Sequence, residues 1–321
     1  MQTEKRINLE EPRYDQGTFT GRARHFFITT NPFNILATSQ QLEDAKGVVE
    51  RYRKGETLGA LNVSPDQLWQ AKHLYDSAYH PDTKEKMFWA GRMSAQVPMN
   101  MVITGCMMTF HKTPQGIIFW QWFNQSFNAV VNYTNRSGDE PISKKQLGLS
   151  YVGASAGAIG TAMSINSLVK RFPPIVARFV PFIAVASANC INIPMMRSRE
   201  LLEGIPVYDA DGNRVGESRK AAEKAIALVL VSRICMAAPG MLTPPFIMHA
   251  LESKAFMKRM PWLNAPVQIG LVGFFLLFAT PLCCALFPQK SSMHINHIEK
   301  ELQEKLSASS PHDCVYFNKG L

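Results

Sequence analysis

Residues 260–289 form a run of thirty without a single Asp, Glu, Lys or Arg, centred on Ile269-Gly-Leu-Val-Gly-Phe-Phe-Leu-Leu-Phe-Ala279. A helix needs about 20 mostly apolar residues to cross a bilayer, so this segment can span with length to spare. Further charge-free windows recur at 93–110, 113–135, 146–169, 179–196 and 234–251. One charge at the centre of a span costs about 2.5–3.5 kcal/mol, and 18% of this chain is charged, so gaps of this length are selected rather than accidental. The pattern predicts an all-α, polytopic helical membrane protein.

A mean hydropathy of −0.08 conceals this because it averages unlike parts. Residues 1–92 carry a net charge of +1, residues 93–289 carry +8 and residues 290–321 carry 0. The division predicts a small helical polar N-terminal domain over 1–92, a transmembrane domain over 93–289 and a polar C-terminal tail over 290–321. The basic excess sits in the loops of the membrane part, where it favours anionic lipid headgroups. No basic patch is interleaved with stacking aromatics, which argues against nucleic acid as a partner.

Of six cysteines, Cys106, Cys190, Cys235, Cys283 and Cys284 fall in apolar windows, and no Cys/His spacing suggests a metal site. Free thiols, no metal and no cofactor are expected. Glu4, Glu10, Glu11 and Asp15 spoil a cleavable signal or transit peptide at the start, so targeting is expected to be internal.

In the polar domain, residues 40–52 place Leu42, Ala45, Val48, Val49 and Tyr52 at helical spacing. Ser64-Pro65-Asp66 starts a second helix, with Ser64 as cap and Pro65 in the first turn. That helix is expected to reach about Tyr79 and to end at His80-Pro81-Asp82-Thr83, since the residue before proline is pushed out of the α region. His80 and Asp82 are read as fixing the helix end and docking the polar domain. The stretch from Leu61 to Asp82 echoes the second helix and loop of a J-domain, but that family's helix is strongly basic, and here Lys72 stands alone beside Asp76.

The first membrane window, 93–110, is interrupted by Pro98, Asn100 and Thr104 and predicts a bent crossing. The second is amphipathic. Advancing 100° per residue, Phe119, Trp120, Phe123, Phe127, Val130 and Val131 share one arc, while Gln121, Asn124, Gln125, Asn128, Asn132 and Asn135 fill the opposite sector. This uncharged amide face is compatible with two placements: flat in the interface with Trp120 and Trp122 at headgroup depth, which is favoured, or lining an internal cavity.

In 146–169, Gly153, Gly157 and Gly160 suit close helix packing. Residues 179–196 read as an apolar helix broken near Asn189, Asn192 and Pro194, the proline freeing the Cys190 carbonyl. A polar loop follows over 197–233, turning at Asp209-Ala-Asp-Gly-Asn213. The window 234–251 holds Pro239, Gly240, Pro244 and Pro245, and broken helices survive in membranes where freed carbonyls meet protein or a water-filled cavity.

No nucleophile elbow, phosphate loop or metalloprotease motif occurs, and no carboxylate lies inside a window, so the chain is not expected to be an enzyme. The membrane part instead concentrates amides. Asn189 and Asn192, three apart on one helical face, together with the Cys190 carbonyl, are the leading substrate-binding candidates. Asn128, Asn124, Gln121, Asn132 and Asn100 are further ones. They offer donors and acceptors to a zwitterion without a net charge from the protein. Interhelical hydrogen bonding is the competing role for each amide.

Several long motifs now identify a resemblance: Glu11-Pro-Arg-Tyr-Asp-Gln16, Gly21-Arg-Ala-Arg-His-Phe26, His80-Pro-Asp-Thr83, Gly91-Arg-Met-Ser-Ala-Gln-Val-Pro-Met-Asn100, Gln121-Trp-Phe-Asn-Gln-Ser-Phe-Asn128, Asn132-Tyr-Thr-Asn-Arg136, Asn189-Cys-Ile-Asn192, Phe287-Pro-Gln-Lys-Ser-Ser292 and Tyr316-Phe-Asn-Lys-Gly-Leu321. On these, the chain resembles the sideroflexins nearly end to end, and most closely the serine-transporting members. The resemblance implies about five spanning helices plus one amphipathic helix, a mitochondrial inner-membrane location and an N-terminus in the matrix. It also implies import of serine and other small neutral amino acids in support of one-carbon metabolism. Basic loops at 170–178 and 252–259 fit that orientation. Lys84 stands where relatives often have glycine, which suggests that a turn glycine is dispensable there. The family's links to iron and tricarboxylates find no metal ligands and no arginine cluster within the membrane here. A membrane scaffold without transport activity is the alternative function.

Overall fold

The computed structural model describes residues 6–80, 83–110, 113–135, 144–168, 174–309 and 313–320. The polar N-terminal unit contains α1 (Phe19–Thr29), α2 (Ser39–Arg53), α3 (Leu58–Leu61) and α4 (Pro65–Ala78). Capping boxes set two of these starts: Thr38 with Gln41 opens α2, and Ser64 with Gln67 opens α4, with Pro65 in the first turn as expected. Leu42, Val49 and Tyr52 of α2 meet Leu68, Tyr75 and Ala78 of α4 in a buried apolar core that also takes Leu9. Lys72 pairs with Asp76 on the same helix, so the lone lysine of the J-domain echo is neutralised locally.

The membrane part contains α5 (Gln96–Thr109), α6 (Pro114–Thr134), α7 (Lys144–Leu168), α8 (Pro174–Ala177), α9 (Val180–Met196), α10 (Ser198–Glu203), α11 (Arg219–Leu242), α12 (Pro244–Glu252), α13 (Ala255–Arg259) and α14 (Asn264–Cys284). Among the described residues, three stretches are long and apolar enough to cross a membrane: Ile175–Met196, Arg219–Glu252 and Pro261–Cys284. The chain is thus a polytopic helical membrane protein. At 1.5 Å rise per residue, the 14 residues of α5 extend about 21 Å, less than the hydrocarbon thickness. The interruption expected at Pro98, Asn100 and Thr104 is corrected: α5 runs unbroken through all three, because a proline in the first turn removes no intrahelical hydrogen bond, and short 3₁₀ turns at Trp89–Gly91 and Met93–Ala95 precede it.

Six helices pack in a closed ring: α5 on α6, α6 on α7, α7 on α9, α9 on α11, α11 on α14, and α14 back on α5. Small residues set the closest approaches. A Cβ on Gly157 would lie 2.2 Å from Ile191 Cδ1 of α9, and one on Gly105 would lie 2.7 Å from the Ile269 backbone of α14. Gly153 also faces α9, at Met195, whereas Gly160 faces open space and takes no part.

Two expectations need correction. The helix over 179–196 does not break at Pro194: α9 continues to Met196, because a proline so near the C-terminus removes one hydrogen bond without interrupting the turns before it. The stretch 197–233 is not a loop. It contains α10, a hairpin and the first half of α11, where Ala221, Ala222, Ala225, Ile226 and Val229 are buried while Arg219, Lys220, Glu223 and Lys224 supply the polar residues that hid the period.

That hairpin belongs to a small sheet absent from the sequence reading. Strands β1 (Ile205–Tyr208), β2 (Arg214–Ser218), β3 (Lys290–His294) and β4 (Cys314–Asn318) form an antiparallel sheet in the order β2-β1-β4-β3, with Val207 opposite Phe317 and Ser292 opposite Tyr316. The β1–β2 turn falls at Asp209–Asn213 as read. Alternate residues Ile205, Val207, Met293, Val315 and Phe317 bury one face against the start of α11 and against α15 (Lys300–Ser309). The C-terminal segment is therefore tied into the structure beside the ring.

Candidate functional site

A cavity of about 440 Å³ lies within the ring, at the end where α6, α9 and α14 finish. Its size falls in the range of small-molecule sites, about 300–1,000 Å³. Asn128, Asn132 and Asn135 of α6 and Asn189 and Asn192 of α9 line one side, and Gln96 of α5, Ser232 and Arg233 of α11 and Thr280 of α14 line the rest. Arg197 and Glu200 of α10, with Gln289, Asn318, Lys319 and Gly320 from either side of the sheet, close it.

Four sequence-predicted residues thus meet in one place: Asn128, Asn132, Asn189 and Asn192. The amide face of α6 turns inward, with Gln121, Asn124 and Gln125 almost fully buried, while Phe119, Trp122 and Val130 point outward. The favoured interfacial placement is corrected accordingly: α6 packs between α5 and α7 with its amides toward the ring. Gln121 and Asn124 share that face but lie away from the cavity lining, with Gln121 Oε1 and Asn124 Nδ2 buried and unpartnered.

Asn100 does not line the cavity either. Its Nδ2 donates to the Gln96 carbonyl at 2.8 Å and to Gln96 Oε1 at 3.2 Å, which orients the Gln96 side chain that does. Cys190 is exposed and does not line the cavity, so the carbonyl that Pro194 leaves without its helical donor does not serve this site. Away from this site, His80 is buried after α4, where its Nδ1 accepts from the Thr83 N–H at 3.3 Å. Pro81 and Asp82 lie outside the described residues.

The lining is not electrically neutral, contrary to the expectation of a site without net charge. Arg197 forks onto Glu200, with Nε donating to Oε1 at 2.9 Å, and its Nη1 donates to the Lys319 carbonyl at 3.0 Å. Among the described residues Arg233 makes no ion pair, and Lys319, only 4% exposed, gives its ammonium to the Phe287 carbonyl at 3.3 Å. Burial holds the Lys319 ammonium below the ordinary lysine pKa, and Arg22, Arg197 and Arg233 push in the same direction. The fold brings two arginines and one lysine, Arg197, Arg233 and Lys319, to this end of the ring, from separations that no local pattern reveals.

Two neutral groups on residues of the lining are also unsatisfied. Gln96 Nε2 and Ser232 Oγ are buried without a hydrogen-bond partner. Buried polar atoms are rarely left unpaired, since each costs about 1–3 kcal/mol, and such exceptions gather where a ligand completes the set. Sequence reading missed Gln96, Ser232 and Thr280 because single polar residues in apolar windows look like helix–helix contacts; Arg233, beside the 234–251 window, was the one visible signal.

This motif-bearing sequence, folded as a ring of helices, matches the family model for sideroflexins over residues 8–321. The chain belongs to the sideroflexins. It is 63% identical to Sideroflexin-1 of Sus scrofa and to Sideroflexin-1 of Homo sapiens, in each case over 316 residues covering 98% of both chains. Sideroflexin-3 of Homo sapiens is 59% identical over the same length and coverage. No solved structure matches this sideroflexin.

Proposed function

We propose that this sideroflexin carries serine and other small neutral amino acids across the mitochondrial inner membrane, supplying one-carbon metabolism, with its N-terminal unit on the matrix side. The supporting observation is the cavity within the helix ring, whose walls combine asparagine amides with unsatisfied donors at Gln96 and Ser232. A small amino acid presents a carboxylate, an ammonium and a short side chain, and amides can serve all three because each offers both a donor and an acceptor. The ring supplies a polar cavity bordered by α9, α11 and α14, which are long and apolar enough to span, the arrangement in which transporters hold a solute between two sides of a membrane.

The test is uptake of labelled serine into proteoliposomes that contain only the full chain. Uptake above protein-free vesicles, inhibited by unlabelled serine, is the expected result; none in either direction, from protein shown to be folded and inserted, would overturn the reading in favour of a scaffold. Protection of the N-terminal unit from protease in mitoplasts checks the orientation.

A further inference from the structure

Among the described residues, the cations of the cavity are not matched by carboxylates. Arg197, Arg233 and Lys319 line the space against one carboxylate, Glu200, which Arg197 already engages through both its oxygens. A buried ion left unpaired is costly, and here the cations repel one another as well. The buried guanidinium of Arg22 adds a further cation beside α14, and among the described residues it donates to the carbonyls of Ala285, Gln16 and Gly17. Beside these charges, the Ser232 hydroxyl, adjacent to Arg233 in α11, and the Gln96 Nε2 are buried donors with nothing to donate to. The same cavity is lined by the asparagines of α6 and α9, whose carbonyl oxygens can accept.

We infer that Arg233 and Lys319, with Ser232 and Gln96, hold the solute's carboxylate, and that the Asn128–Asn132 and Asn189–Asn192 side takes its ammonium and side chain. This polarity rests on the proposed amino-acid transport, yet it makes a separate demand: the carboxylate is obligatory. Lys319 reaches the site only because β4 pairs with β1 and β3, so the C-terminal segment contributes directly to recognition. Glu200 does not compete for Arg233, because Arg197 occupies it.

The experiment measures melting of the purified full chain in detergent with serine, with serinamide, which lacks the carboxylate, and with glycerate, which lacks the ammonium. Serine and glycerate should raise the melting temperature and serinamide should not. Arg233→Gln should weaken serine binding about 10- to 100-fold, the loss expected for one charge-assisted hydrogen bond, and Lys319→Gln should act in the same direction. Serinamide binding as well as serine, or no shift by either carboxylate with the unsubstituted chain, would overturn the inference without recourse to any variant. A shift produced by an anionic phospholipid and by neither small carboxylate would overturn it too, assigning the cations to a headgroup. Carboxylate binding without serine uptake in vesicles would instead overturn the transport reading and leave this polarity standing.

Discussion

The N-terminal unit and the helix ring meet their polar groups in opposite ways. In the N-terminal unit, capping boxes complete the starts of α2 and α4, Asn31 and Thr57 cap two shorter turns, and charges pair at the surface, as Arg13 with Asp66 and Arg51 with Glu56. Among its described residues, the one buried side-chain nitrogen without a hydrogen bond, Arg53 Nε, still lies 3.2 Å from Glu10 Oε1. The ring leaves Gln96, Gln121, Asn124, Ser150, Ser155 and Ser232 each with a buried, unpartnered atom and gathers cations without matching carboxylates. Consistency at every level marks a unit selected for stability, and departures from it mark where function is carried. The ring must then be held together by packing, and of these six residues Gln96 and Ser232 line the cavity.

The sharpest way to break this contrast is to attack the packing. Gly105→Leu would drive a side chain into the backbone of α14 at Ile269, with no flexible side-chain end to yield, and should destabilise the protein by about 3 kcal/mol, the upper part of the overpacking range. Gly160→Leu, where a Cβ meets nothing within 4 Å, should leave melting in detergent near wild type. Equal losses from both would show that the ring is not held by close approach at α5 and α14.

The next effect separates polar groups that bind from those that merely sit in the ring. Asn192→Ala and Asn128→Ala each remove a cavity amide and should raise the serine concentration at half-maximal uptake about 2- to 10-fold, the equivalent of one neutral hydrogen bond. Cys190→Ala, exposed on the outer side of α9, should leave uptake unchanged. An uptake defect from Cys190→Ala comparable to that from Asn192→Ala would contradict the assignment of the inner face of α9.

How far the sequence reveals these two regions follows from how local each determinant is. The caps at Ser64-Pro65 and the amide stripe of α6 are written within one or two helical turns, so spacing alone displays them. The direction in which that stripe faces is not local, because a helix with an amide side fits an interface or a ring equally well until its neighbours are placed. The cationic end depends on β4 returning to β1, pairing Phe317 with Val207, and on Arg197 reaching the Lys319 carbonyl, contacts over more than a hundred residues. The start of α11 was hidden for a simpler reason: its buried positions are mostly alanines, which a search for large apolar residues passes over.

A smaller effect tests the N-terminal unit through pH. Burial lowers the pKa of His25 in α1 and of His73 in α4 from the ordinary value of 6.5, with Asp76 opposing in both cases, and His25 lowers that of His73 further. Near pH 6 the unfolded chain therefore binds more protons at these sites than the folded chain, so stability is full above about 6.5 and declines as pH falls through the lower folded values. Melting of the N-terminal unit should drop between pH 7 and pH 5, and the double variant His25→Phe, His73→Phe should flatten that dependence. A slope unaltered by the double variant would place the acid sensitivity elsewhere.

The smallest effect lies where the two regions join, at Lys84. Its backbone has φ of +57°, the left-handed region, in the turn that follows α4 and returns the Lys86 backbone to Tyr79. An L-residue with a Cβ pays about 1–2 kcal/mol to sit there, while a glycine adopts it freely but loses more entropy on folding, about 0.5–1 kcal/mol. The turn therefore does favour a glycine, and the lysine is tolerated because the Lys84 N–H donates to the His80 carbonyl at 3.0 Å and the His80 N–H to the Glu85 carbonyl at 2.9 Å, which hold the backbone in place. Lys84→Gly should stabilise the protein by up to about 1 kcal/mol, read as a higher melting temperature with serine uptake unchanged, whereas Lys84→Val, β-branched at a positive φ, should lower it. A lower melting temperature for the glycine variant would mean that the lysine side chain contributes more to this junction than its backbone strain removes.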